Sequence, residues 1–136
     1  FLLLGEESSS YPSIEKLVQQ DEFPSKTTDQ GKPFLVPRQH SQIWFRITGC
    51  KSIDMLAKLC AIDFRDSNFK MLQVAQTSVA RLNAIILRED LAGSHGFHIL
   101  ADRGSAEYLW DCIVDAGGEY AIQVVGLRLL GELKQG

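Results

Sequence analysis

The chain has 136 residues, 45% of them hydrophobic and 23% charged, with 14 Lys and Arg against 17 Asp and Glu for a formal net charge of −3. That balance describes one ordinary soluble domain and excludes collagen-like, mucin-like, disulfide-scaffold and disordered compositions. At a sequence pI near 5.6, nucleic-acid binding would require a local basic patch, and no run of Lys and Arg supplies one.

Phe1, Leu2, Leu3 and Leu4 open the chain without an initiator Met or a basic leader, too short a run for a signal peptide. They read as a strand whose upstream partner is missing, so an N-terminal part of the protein is expected to precede it. Neither this run nor 82–87 approaches the roughly 20 apolar residues that a membrane span needs. Ile14, Leu17 and Val18 recur at helical spacing after Ser10 and Pro12, predicting a short helix over 12–20. Residues 21–33, with Pro24, Gly31 and scattered charge, have no period and read as a mobile surface loop.

Ile43, Phe45 and Ile47 alternate with Trp44, Arg46 and Thr48, the two-residue period of a half-buried strand that Gly49 ends. Ser52 is placed to cap a helix carrying Ile53, Leu56, Leu59 and Cys60 on one face. Phe64 and Phe69 suit a connector pinned to the core over 61–70. Two β-rich runs follow, 73–81 and 84–89, separated by Asn83 and compatible with a hairpin or one bent strand. Asp90, Gly93, Ser94 and Gly96 mark a turn, and 97–101 is a further strand. Ala106, Leu109, Trp110, Ile113 and Ala116 form a helical stripe over 105–116, and Gly117 sits where a left-handed cap is usual. Ile122, Val124 and Val125 suggest a last strand, and Leu127, Leu130 and Leu133 a terminal helix. The sum is a single α+β domain over 1–136, a mainly antiparallel sheet with helices packed on one face.

Candidate chemistry is sparse. His95 and His98 stand three apart with no further ligand to complete a four-ligand metal shell, so they read as solvent-facing turn histidines. His40 beside Ser41 is no nucleophile and base, because strand neighbours point to opposite faces. The thiols of Cys60 and Cys112 fall on apolar or near-apolar helix faces; Cys50, before a helix start, has the most thiolate-favouring location but no local His. An odd number of cysteines without paired spacing points to free, mostly buried thiols in a reducing compartment, the cytoplasm. Gly117 and Gly118 follow a helix instead of opening one, the wrong order for a phosphate loop. Asp63 and Asp66 with Asp102 or Asp115 are candidates for a shared carboxylate site, although a solvated acidic surface is the better reading. Trp110 belongs to the buried stripe and Tyr108 to its boundary. No catalytic residue is assigned in this chain, no metal is expected, and no cofactor-binding residue can be named.

Between Trp44 and Tyr120 the ordered motifs carry a resemblance. They are Trp44-Phe45-Arg46-Ile47-Thr48-Gly49, Leu59-Cys60-Ala61-Ile62-Asp63-Phe64, Gln76-Thr77 with Ala80, and Ile85-Ile86-Leu87-Arg88. Phe97-His98-Ile99-Leu100 and Ala106-Glu107-Tyr108-Leu109-Trp110-Asp111 follow, with Asp115-Ala116 behind them. Together they resemble the gamma subunit of heterotetrameric sarcosine oxidase, which is similar to the folate-binding domain of the glycine-cleavage T-protein aminomethyltransferases. Gly126-Leu127-Arg128 is similar to a segment of that larger group, and Phe1 to Gly5 resembles the end of the family's Asp-Glu-Trp-Leu-Leu strand. Ala61 stands where the family often has Pro, and Pro37-Arg38-Gln39-His40-Ser41 departs from its Asp-x-Ser-His segment.

The resemblance implies the aminomethyltransferase folate-binding fold and a noncatalytic subunit, or subunit-like module, of a complex that oxidatively demethylates sarcosine and passes the one-carbon unit to tetrahydrofolate. Its partners would be alpha and beta subunits, in which FAD, FMN, NAD and tetrahydrofolate reside. Such a subunit would carry an exposed apolar patch, with the Trp44 side of the sheet a candidate. A free-standing folate-binding aminomethyltransferase-like protein is the alternative. A homo-oligomeric domain without a ligand is a third reading.

Overall fold

The structure, a computed structural model, describes residues 40–125. The alternation of Ile43, Phe45 and Ile47 with Trp44, Arg46 and Thr48 forms strand β1, Gln42–Thr48. Helix α1, Ser52–Leu59, follows, then β2, Val74–Val79, β3, Leu82–Arg88, and β4, Gly96–Asp102. A short 3-10 turn, Arg103–Ser105, leads into helix α2, Ala106–Gly117, which runs on into a second such turn, Gly118–Tyr120.

The four strands form one antiparallel sheet in the order β1-β4-β3-β2. Register sorts the side chains into two faces. Ile47 opposite Phe97, Phe45 opposite Ile99, Ile43 opposite Ala101, and the flanking Ile86 and Ala84 all point toward the helices. There they form the core with Met55 and Leu56 of α1 and Leu109, Ile113 and Ala116 of α2. Trp44, Leu100, Ile85 and Gln76 make one row on the other face, and Arg46, His98, Leu87 and Val74 make the next. The expected α+β architecture, a mainly antiparallel sheet with helices on one face, is the one observed. Phe64 and Phe69 pin the connector as expected: their rings meet edge to face at 5.3 Å, and Phe64 packs on Phe97 at 5.1 Å.

Several local expectations are corrected. Lys51, not Ser52, occupies the cap of α1; Ser52 is buried in the first turn, and its hydroxyl donates to the His95 carbonyl at 3.4 Å. Cys60 leaves the helix in an extended conformation and bridges to Val79, while Met55 takes the buried place on the helix face. Gly117 is right-handed helical, and the left-handed residue is Ala121 at φ 52°. Glycine is needed at 117 for space, because a Cβ there would come within 2.7 Å of Ile122 Cδ1. Residues 122–125 form no strand: Ile122 turns back onto α2 and joins the core, while Val124 and Val125 are exposed. The expected elements at 1–4, at 12–20, in the 21–33 loop and from Leu127 onward lie outside the described residues.

The two β-rich runs are a hairpin whose turn is Ala80-Arg81, and Asn83 lies within β3. Both turn residues have positive φ, 49° and 68°, as a two-residue turn matching the strand twist requires. Neither is a residue that favours this region. The turn is held from outside, because Ala80 N–H donates to Leu59 O at 2.8 Å and Tyr108 Oη donates to Ala80 O at 3.1 Å. Arg81→Gly is therefore expected to raise stability by about 0.5–1 kcal/mol, the strain of a side chain at left-handed φ outweighing the entropy of the freer unfolded chain. An unchanged or lower urea midpoint would show that the turn is unstrained.

Candidate functional site

The end of β3 splits its side chains. Arg88 points to the helix side, and Glu89, the next residue, reaches toward the other face, so each organises a separate polar cluster.

On the face away from the helices, His98 is buried, against the expectation of a solvent-facing turn histidine. Trp44 Nε1–H donates to His98 Nδ1 at 2.8 Å, and His98 Nε2 meets Glu89 Oε2 at 2.6 Å. Because an indole N–H can only donate, Nδ1 carries the lone pair and Nε2 the proton. Arg46 completes the cluster, donating from Nη1 to Glu89 Oε2 at 2.9 Å and from Nη2 to Glu89 O at 3.1 Å. Arg46 Nε is a buried donor without an acceptor among the described residues. The Glu89 carbonyl also explains Gly96, where a Cβ would lie 2.2 Å from that oxygen. A carboxylate on one imidazole nitrogen and a donor on the other is the geometry of an activated nucleophile. Here the donor is an indole, so the arrangement orients Trp44, a residue that stays 45% exposed.

On the helix side, Arg88 is the organising cation, with a side chain 5% exposed. It forks onto Asp90 through Nε at 2.9 Å and Nη2 at 2.8 Å, donates from Nη1 to Phe69 O at 2.6 Å, and pairs through Nη2 with Asp66 at 2.6 Å. His95 Nδ1 lies 2.7 Å from the same Nη2. The Arg88 hydrogen bond, against partial desolvation, holds the Asp90 carboxyl below the usual carboxylate range, and the Gly96 N–H adds to it. The folded-state value is depressed, so this contribution is fully present above the unfolded value, near ~3.9, and is lost as pH falls through the lower folded value. The melting-temperature gap between the unmodified protein and Asp90→Asn is therefore expected to be widest near neutrality and to close below about pH 4. A gap that stays constant into acid would remove Asp90 from the acid response.

The remaining sequence candidates do not converge. Asp63 is held below its usual range by hydrogen bonds from Arg65, Asp102 accepts from Gly104 N, and Asp115 is exposed on α2. Of that carboxylate group only Asp66 reaches a cluster, and its companion there is Asp90. Cys60 is buried near Thr77, Cys112 is half-buried and Cys50 is exposed, so the expectation of mostly buried thiols holds for Cys60. Trp110 is half-exposed and tilts over Phe45 at 5.8 Å, outside the fully buried stripe, and His40 lies in an exposed turn. Among the described residues no group of three or more His, Cys, Asp or Glu is placed to hold a metal ion, and no helix is long and apolar enough to cross a membrane. Arg46, Arg88 and Glu89 are site residues that the sequence reading does not single out; for Arg88 and Glu89 the available signal is opposite charge side by side at a strand end, and mid-strand Arg46 carries none.

The same arrangement of strands and helices occurs in the heterotetrameric sarcosine oxidase from Corynebacterium sp. U-96, solved in complex with pyrrole 2-carboxylate. The match has a TM-score of 0.58 at 20% identity, over 65% of this chain and 44% of that one. An aminomethyltransferase of Saccharopolyspora erythraea is 27% identical over 88 residues, 65% of this chain and 23% of the relative. One from Bacteroides fragilis is 30% identical over 81 residues, 60% and 22% of the two chains. The matched part of the chain thus spans less than a quarter of the length of these aminomethyltransferases. The model of the GCVT N-terminal domain matches residues 14–135, nearly the whole sequence, and the chain belongs to that family.

Proposed function

We propose that this chain is a noncatalytic subunit, or subunit-like module, of a sarcosine-oxidase-type complex. That complex oxidatively demethylates sarcosine, with transfer of the one-carbon unit to tetrahydrofolate, and works in the cytoplasm. The fold shared with a chain of a heterotetrameric enzyme carries the reading. The polar clusters support it, since His98 and His95 are engaged by Trp44, Glu89 and Arg88 in holding the sheet and its turn together. Trp44 and Val74, both well exposed on the face away from the helices, supply apolar surface for a partner. FAD, FMN, NAD and tetrahydrofolate reside in the alpha and beta subunits under this reading. Pull-down of the full-length protein from its native extract is expected to recover a flavin-containing partner, and recovery of none counts against the assignment.

The aminomethyltransferase relatives favour a second reading, a free-standing folate-binding protein. Saturating tetrahydrofolate would then raise the melting temperature of the chain alone. An unchanged temperature removes this alternative and leaves the subunit reading standing.

A further inference from the structure

The Arg88 cluster contains a conflict that protonation resolves. Arg88 Nη2 carries two hydrogens, yet three acceptors approach it: Asp90 Oδ2 at 2.8 Å, His95 Nδ1 at 2.7 Å and Asp66 Oδ1 at 2.6 Å. Asp90 and His95 meet it with hydrogen-bond geometry, and Asp66 meets it as an ion pair. A guanidinium neither accepts a hydrogen bond nor gives up its proton in this setting. At 2.7 Å, His95 must therefore present a lone pair at Nδ1 and carry its proton on Nε2.

We propose that His95 is a proton-operated latch: the neutral imidazole pins the 90–95 turn to Arg88, and the imidazolium releases that N–H to Asp66. Protonation puts an N–H on Nδ1 facing the N–H of Arg88, and two donors cannot share the contact. The carboxylates at ion-pair distance from Nδ1 are Asp90, with Oδ2 at 3.6 Å, and Asp66, with Oδ1 at 3.8 Å. Asp66, 72% exposed, is positioned to take over the vacated Arg88 hydrogen. The charged groups facing the imidazole are Arg88 from β3, Asp90 from the same turn and Asp66 from the connector. The corner between β1 and α1 meets the residue at its carbonyl, which accepts from Gly49 N at 3.0 Å, Thr48 Oγ1 at 3.1 Å and Ser52 Oγ at 3.4 Å. A swap at the ring is thus transmitted in two directions, to the start of α1 through this carbonyl and to the connector through the Arg88 bond to Phe69 O.

Nitrogen-15 spectra of the imidazoles in the full chain, recorded from pH 8 to pH 5, test the latch. His95→Gln identifies the His95 signals by their loss. At pH 8 the unmodified protein is expected to show His95 with Nδ1 bare and Nε2 protonated; the opposite tautomer overturns the proposal without recourse to any variant. On acidification the amides of Ser94, Gly49 and Phe69 are expected to shift with the midpoint of the His95 ring. In His95→Gln, whose side-chain carbonyl accepts from Arg88 at every pH, that shared shift is expected to vanish. Amides that titrate unchanged in His95→Gln, or that stay still while the unmodified ring titrates, would equally overturn it.

Discussion

Arg88→Ala is expected to cost about 3 kcal/mol of folding stability, at the lower end of the range for removing one member of a buried ion pair. The side chain is almost wholly buried, and its loss strands the Phe69 carbonyl and the Asp90 carboxylate together. Asp66 and Asp90 retain access to water, which moderates the penalty. Hydrogen bonding to Asp90 raises the Arg88 pKa, so the guanidinium stays charged at any pH the fold survives. Arg88→Lys preserves the charge but cannot fork onto both Asp90 oxygens while reaching Phe69 O, and its loss is expected to be intermediate. Urea unfolding of the three proteins gives the order directly. A lysine variant as stable as the parent would mean that charge alone, and not the shape of the guanidinium, holds the turn and connector.

The elements legible in the sequence are those whose own residues decide them. β1 follows from strict alternation, α2 from its apolar stripe, and the connector from two phenylalanines set among charges. Ala80-Arg81 was hidden for the opposite reason. Neither residue favours positive φ, and the turn exists because Leu59 O and Tyr108 Oη, distant in sequence, hold the Ala80 peptide. The strand expected at 122–125 failed because β-branched composition records a preference for a pleated surface, and the Ile122 side chain is instead spent on closing over Gly117.

The polar clusters were hidden by register. His98 reads as a turn residue from its neighbours, but pairing β4 with β1 sets it opposite Arg46 and beside Trp44, a hydrogen-bond partner 54 residues away. Its position between Phe97 and Ile99 in the expected strand at 97–101 is that of the second face, with Leu100. What the sequence could not supply was the direction of Glu89, whose side chain reaches that face from beyond the end of β3. The carboxylates Asp63, Asp102 and Asp115 stay apart, in keeping with the reading of a solvated acidic surface.

Phe97→Ala is expected to be the most damaging core substitution, at about 3–5 kcal/mol. Phe97 is fully buried on β4, an inner strand of the described sheet, between Ile47 on β1 and Arg88 on β3. Its ring also receives the edge of Phe64, so truncation removes the contact on which the connector rests as well as sheet packing. The connector's other ties to the sheet, the Arg88 contacts with Asp66 and Phe69 O and the bond from Leu72 N to Arg88 O at 2.9 Å, all lie beyond Phe64 in the chain. Phe97→Leu keeps most of the volume and is expected to cost roughly 1 kcal/mol. Phe64→Ala combined with Phe97→Ala should destabilise by less than the sum of the single changes, because both open the same space. Additive losses would separate the connector from the sheet core. Hydrogen exchange at Phe69, whose amide bonds to Arg65 O within the connector, provides the local readout. It should accelerate in Phe97→Ala relative to residues of α2, because the connector loses its ring contact while Leu109 and Ile113 keep theirs with the remaining core.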